Sequence, residues 1–104
     1  MNIYCISGLG ADKRVFDHLN IINHDLKYLE WIDPFPNESI ETYARRLSKG
    51  IDQDHPFILL GVSFGGIIAI EIAKITTPIH TIQISSVDNH HVLPKLYIRV
   101  RLRK

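Results

Sequence analysis

Apolar residues fall into two kinds of run along this chain, and their alternation lays out its elements. Four runs are short and nearly continuous: Asn2 to Ser7, Leu26 to Trp31, Phe57 to Val62 and Ile79 to Ser85. Runs of this length, rich in β-branched and aromatic residues, predict strands, and unbroken ones suit a parallel sheet buried on both faces. Between them the spacing is helical. Val15, Phe16 and Leu19 share one face of a short helix from Asp12 to Leu19, with Asp12 as its cap. Ile40, Tyr43, Ala44, Leu47 and Ile51 mark an amphipathic helix from Ser39 onward, capped by Asn37 or Ser39, with Glu38 and Glu41 at its positive end. Phe64 to Ile75 has only Glu71 and Lys74 as charges, so that helix must be covered on most sides.

Strand and helix therefore alternate, which predicts an α/β fold: a parallel sheet of about four strands with flanking helices and right-handed crossovers. Beyond Ser86 two periods compete. Ile98, Val100 and Leu102 alternate with arginines as in a strand, whereas Leu93, Leu96, Tyr97 and Val100 suit a helix, and the helix is the reading preferred. The outer edge of the strand at Ile79 to Ser85 is then unpaired, with uncovered apolar helix surface nearby. Such an edge invites self-association or pairing with a complementing fragment.

The most specific pattern is Gly61-Val62-Ser63-Phe64-Gly65-Gly66, set between a buried strand and an apolar helix. In that context G-x-S-x-G describes a nucleophile elbow, whose serine is forced to positive φ so that its hydroxyl rises above the sheet. Glycine is needed two residues before and two after it, because a side chain there would meet the neighbouring strand or helix.

This segment and Ile6-Ser7-Gly8-Leu9-Gly10-Ala11-Asp12 together resemble the α/β-hydrolase superfamily, in its carboxylesterase-like members, over residues 1 to about 88. The resemblance implies a serine hydrolase acting on a small-molecule ester or related acyl substrate. Ser63 would be its nucleophile, and the backbone N–H groups of Leu9 and Phe64 its oxyanion hole. Where the family loop usually begins His-Gly, this chain has Ser7. The resemblance also puts the strand at 2 to 7 between those at 26 to 31 and 57 to 62, with the strand at 79 to 85 on the far side. Gly8 to Gly10 and Ser63 then meet where the winding reverses.

In the family the catalytic acid and base follow later strands. Residues 1–88 are accordingly expected to be the amino-terminal part of an incomplete α/β-hydrolase fold, and residues 89–104 a basic tail where a lid or second half would begin. His24, His55 and His80 precede strands, at the edge away from Ser63, and His18 belongs to the first helix. Asp88, His90 and His91 are the acid and base candidates that follow a strand, in the order the family uses. Two other readings compete. One is a catalytically silent scaffold or interaction fragment of the same fold. The other is a nucleotide-binding module built on Gly8-Leu9-Gly10 and Glu30, which Lys13 opposes by standing where a third glycine is required.

Composition narrows this little further. With 104 residues, 45% hydrophobic and 22% charged, the chain suits one globular domain rather than a disordered segment, and no run approaches a membrane span. Residues 1–94 hold seven Lys or Arg against all eleven acids, and the tail adds five more cations, a solvated terminus rather than a nucleic-acid motif. Cys5, alone in an apolar strand, reads as an inert buried thiol. Neither cofactor nor metal is called for. The first strand starts close to Met1, which leaves no room for a secretory leader, so a cytoplasmic location is expected.

Overall fold

A computed structural model describes residues 1–8, 24–89 and 92–102, with the backbone alone for 85–89 and 92–102. Four strands run parallel: β1 (Asn2–Ile6), β2 (Asp25–Tyr28), β3 (Phe57–Val62) and β4 (His80–Asn89). A fifth, β5 (Val92–Leu102), is antiparallel to β4, and the order across the sheet is β2-β1-β3-β4-β5. The parallel part is thus an α/β sheet in the strand order expected. That order is common to several doubly wound folds, so the topology does not choose among them.

The steps from β2 to β3 and from β3 to β4 go the same way across the sheet. Right-handed crossovers then place both connecting helices on one face. The helices are α1 (Ile40–Leu47) and α2 (Phe64–Ile75), and they share a core. Tyr43, Ala44 and Leu47 of α1 meet Ile68, Ala69 and Ile72 of α2 over Tyr4, Ile6, Phe57 and Leu59. Because side chains alternate along a strand, Ile3, Cys5, Leu60 and Ile84 form a second core on the opposite face. Burial there pushes the Cys5 thiol up to about 12, as expected of an unreactive core cysteine.

Ser39, one of the two candidate caps, accepts a hydrogen bond from the Thr42 N–H at 3.1 Å. Asn37 stands in the preceding turn at φ 59. The helix stops at Leu47, short of Ile51, and one 3-10 turn at Ser48–Gly50 leads out of it. Among the described residues, no helix is long and apolar enough to cross a membrane.

Two expectations need correcting. Residues 92–102 are a strand, not a helical tail, and the far edge of β4 is paired along its length from His80↔Leu102 to Asn89↔Val92. An open β4 edge would present a row of unsatisfied N–H and C=O groups, and the antiparallel strand satisfies them. The edge moves outward to β5, whose Pro94, Lys95, Arg99 and Arg101 belong to the residue types that keep edge strands from pairing. The uncovered helix surface is there, however: Ile67 and Ile75 of α2 are exposed by 43% and 44%.

Candidate functional site

β3 ends at Val62 and α2 begins at Phe64, so the whole reversal falls on Ser63. Its backbone sits at φ 59, ψ −126, the positive φ expected and outside the left-handed helical basin. A conformation of that kind in an L-residue costs about 1–3 kcal/mol and persists only where its surroundings enforce it. Two backbone hydrogen bonds contribute, Ser63 N–H to Ile84 O at 2.8 Å and Gly66 N–H to Ser63 O at 2.9 Å.

Steric crowding does the rest. A Cβ on Gly61 would overlap the Gly65 carbonyl oxygen and stand 2.5 Å from Gly66 Cα, while one on Gly65 would overlap the Ile6 carbonyl oxygen and stand 2.5 Å from that of Ser7. These obstacles are backbone atoms and cannot swing aside. Gly66 faces a softer neighbour, the Gln83 side chain, whose Cγ would lie 2.6 Å from a Cβ there. Ser63 itself is exposed, and its hydroxyl does not cap α2.

The loop after β1 runs against this turn. A Cβ on Gly8 would lie 3.2 Å from Ser63 Cβ and 3.8 Å from Phe64 N. Phe64 opens α2, where the first N–H groups have no intrahelical partner and the helix dipole is positive. Ser63, Phe64 and the start of the glycine loop therefore meet at the carboxyl ends of β1 and β3, where the winding reverses.

The other site candidates fare unevenly. Leu9, His18, His90 and His91 lie outside the described residues, as does Lys13. Asp88 is inside β4 rather than in a loop beyond it, at an irregularity between Val87 and Asn89. Ile84 is level with Val62, so Asp88 stands four residues farther along, or about 13 Å at strand rise. His24, His55 and His80 all lie at the amino ends of strands, away from Ser63, as expected. His55 Nδ1 is 2.8 Å from Asp52 Oδ2, and that hydrogen bond, first among its causes, holds the Asp52 carboxyl below its ordinary value.

A cavity of ≈ 220 Å³ adjoins the elbow. Among the described residues it is lined by Trp31, Pro34, Glu38, Ser39, Ile40, Tyr43, Phe64 and Ile68. Trp31 stacks on Phe64 at 5.8 Å between ring centroids and packs on Tyr43 at 5.5 Å. The Trp31 indole N–H donates to the Ser7 carbonyl at 3.0 Å, tying this wall to the end of β1. The Tyr43 hydroxyl donates to Ile32 O at 2.7 Å and accepts from Ile32 N–H at 3.0 Å, which fixes the loop after β2.

Glu38 brings the one charge among these lining residues, with a side chain only 2% exposed. Its Oε1 accepts from Arg46 Nη1 at 2.6 Å and from Phe35 N–H at 2.9 Å. Arg46 also lies 3.7 Å over the Phe35 ring and donates through Nη2 to Asp33 O. Glu38 Oε2 is buried with no hydrogen-bond partner. Leaving such an acceptor unsatisfied costs about 1–3 kcal/mol.

Sequence reasoning did not find this cavity. Trp31, at the carboxyl end of the second apolar run and just before a proline break, was the available signal. In comparisons with known proteins, no family model, curated protein or solved structure matches the chain.

Proposed function

We infer that the chain belongs to the serine-hydrolase lineage of α/β-hydrolase type, with Ser63 as a nucleophile toward esters or related acyl compounds. One observation carries the reading: a serine at φ 59, ψ −126, raised between β3 and α2 by two glycines that have no room for a side chain. A serine with no chemical task has no reason to bear that strain when glycine would not.

The chemistry rests on position. Attack by Ser63 Oγ on an acyl carbon forms a C–O bond and moves an electron pair onto the carbonyl oxygen. The Phe64 N–H, at the positive end of α2, is one donor for that oxyanion, and by the family resemblance the N–H of Leu9, outside the described residues, is the second. The described residues do not bring a base for the serine proton, since their histidines occupy the other end of the sheet. Losing the base in a triad enzyme lowers turnover about 10⁶-fold, and the oxyanion hole and binding retain roughly 10³–10⁴ over water.

The expected behaviour is therefore a reactive-site serine with feeble turnover. A fluorophosphonate probe, combined with intact mass and peptide mapping, should label Ser63 in the wild type and nothing in Ser63→Ala. p-Nitrophenyl acetate hydrolysis should stay near background in both. Absence of the label at Ser63 would sink the hydrolase reading and favour a silent scaffold of the same fold. Brisk turnover lost in Ser63→Ala and in a His90→Ala/His91→Ala double variant would instead make that histidine pair the base.

A further inference from the structure

We propose that Trp31 is a positioning residue for Ser63, which through its indole N–H and its ring sets the spacing between the two backbone donors assigned to the oxyanion. The role rests on the hydrolase reading above. Trp31 reaches both pieces at once: its N–H donates to the Ser7 carbonyl at 3.0 Å, and its ring stacks on Phe64 at 5.8 Å with 19° between the planes.

The contact with Ser7 extends the sheet by a side chain. The segment of β2 donates to that of β1 through Asp25 N–H to Met1 O and Leu29 N–H to Cys5 O, both at 3.0 Å. In that register the next acceptor is Ser7 O and the next donor residue is Trp31, and there the indole donates. The main chain can then turn away toward Pro34 while the carbonyl of Ser7 stays held.

That carbonyl shares one rigid peptide plane with the Gly8 N–H. Gly8 presses on the elbow, since a Cβ on it would lie 3.2 Å from Ser63 Cβ and 3.8 Å from Phe64 N. A peptide unit that leads into glycine turns over at little steric cost, because glycine accepts backbone angles closed to other residues. With the carbonyl released, the chain leaving Gly8 takes more than one direction, and the donor that follows is misplaced in all but one. The indole bond favours that one by up to about tenfold, the usual net worth of such a bond, and reactivity follows the competent fraction.

Trp31 is the single tryptophan, so growing a tryptophan auxotroph on an analogue alters this residue alone. Benzothienylalanine puts sulfur in place of the N–H and keeps the stacking ring, whereas 5-fluorotryptophan keeps both. The readout is the second-order rate of fluorophosphonate labelling at Ser63. Labelling forms the Ser63 O–P bond, expels fluoride and gives the serine proton to buffer, while charge builds on the phosphoryl oxygen. The benzothienyl protein and Trp31→Phe should label roughly five- to tenfold more slowly, and the 5-fluoro protein at the wild-type rate. Ile72→Val, a loss in the buried core away from Ser7, is the stability control. It stays folded by circular dichroism and should label as the wild type does.

Wild-type rates in both the benzothienyl protein and Trp31→Phe would overturn the role of Trp31 and leave the hydrolase reading standing. An equal slowing in Ile72→Val or in the 5-fluoro protein would overturn it too, by showing that any disturbance of the fold suffices. No label at Ser63 in the wild type would remove the hydrolase reading and this role with it.

Discussion

The two ends of the sheet divide between them parts that catalysis needs together. At the carboxyl end, Ser63 stands on a strained turn with backbone donors beside it. At the amino end lie His24, His55 and His80, each before or at the start of a strand, and His55 with Asp52 even forms an acid–histidine hydrogen bond like that of a triad, at 2.8 Å. That pair is exposed, three residues apart in one turn, and has no nucleophile to serve. Residue types in the right proximity thus mean little. Every parallel strand delivers its next loop to the same end, and only a segment leaving a strand at its carboxyl terminus can converge on the switch point.

The contrast is broken most severely by filling the space under the elbow. Gly65→Ala pushes a methyl into two backbone carbonyls and should destabilise by about 3 kcal/mol, measured by urea unfolding. Gly50→Ala is the control at the other end. Its new Cβ would meet only the movable Leu29 Cδ2 at 3.1 Å, and a loss within about 1 kcal/mol is expected. Similar losses at both positions would mean that the elbow is not held by close packing.

A smaller and opposite effect is expected at the serine. Ser63→Gly relieves the positive φ and gives back part of the gain through a more flexible unfolded chain, for a net stabilisation of about 1 kcal/mol with the fluorophosphonate label abolished. Destabilisation there would show that the side chain, not the strain, matters to the fold.

The smallest effect belongs to the amino end. His55→Ala removes an exposed pair, and pairs of that kind contribute little. Both the unfolding midpoint and the labelling of Ser63 should be unchanged. A drop in labelling would tie the two ends together and dissolve the comparison.

How far the chain could be read depends on where each piece gets its instructions. The runs at β1, β3 and α2 and the turn at Ser63 were legible because local features carry them, whereas the strand order came only with the family resemblance. Continuous apolar residues suit a doubly covered strand, and glycines at 61 and 65 are explained by contacts within one strand, one helix and one neighbour. The segment at 92–102 was not legible, because its residues satisfy a period of 2 and a period near 3.6 alike. Its state was decided by the hydrogen-bonding edge of β4, an influence that no spacing within the segment reveals.

Glu38 shows the same limit at one residue. In the sequence it suits the positive end of α1, and in the fold it instead lies buried, held by Arg46 and by the Phe35 N–H. The cavity it helps to line exists only because the loop after β2 folds back between two helices, bringing Trp31 against Phe64. Local periodicity and steric need are written along the chain. Which distant surfaces meet, and which polar atom is left without a partner, are decided by packing.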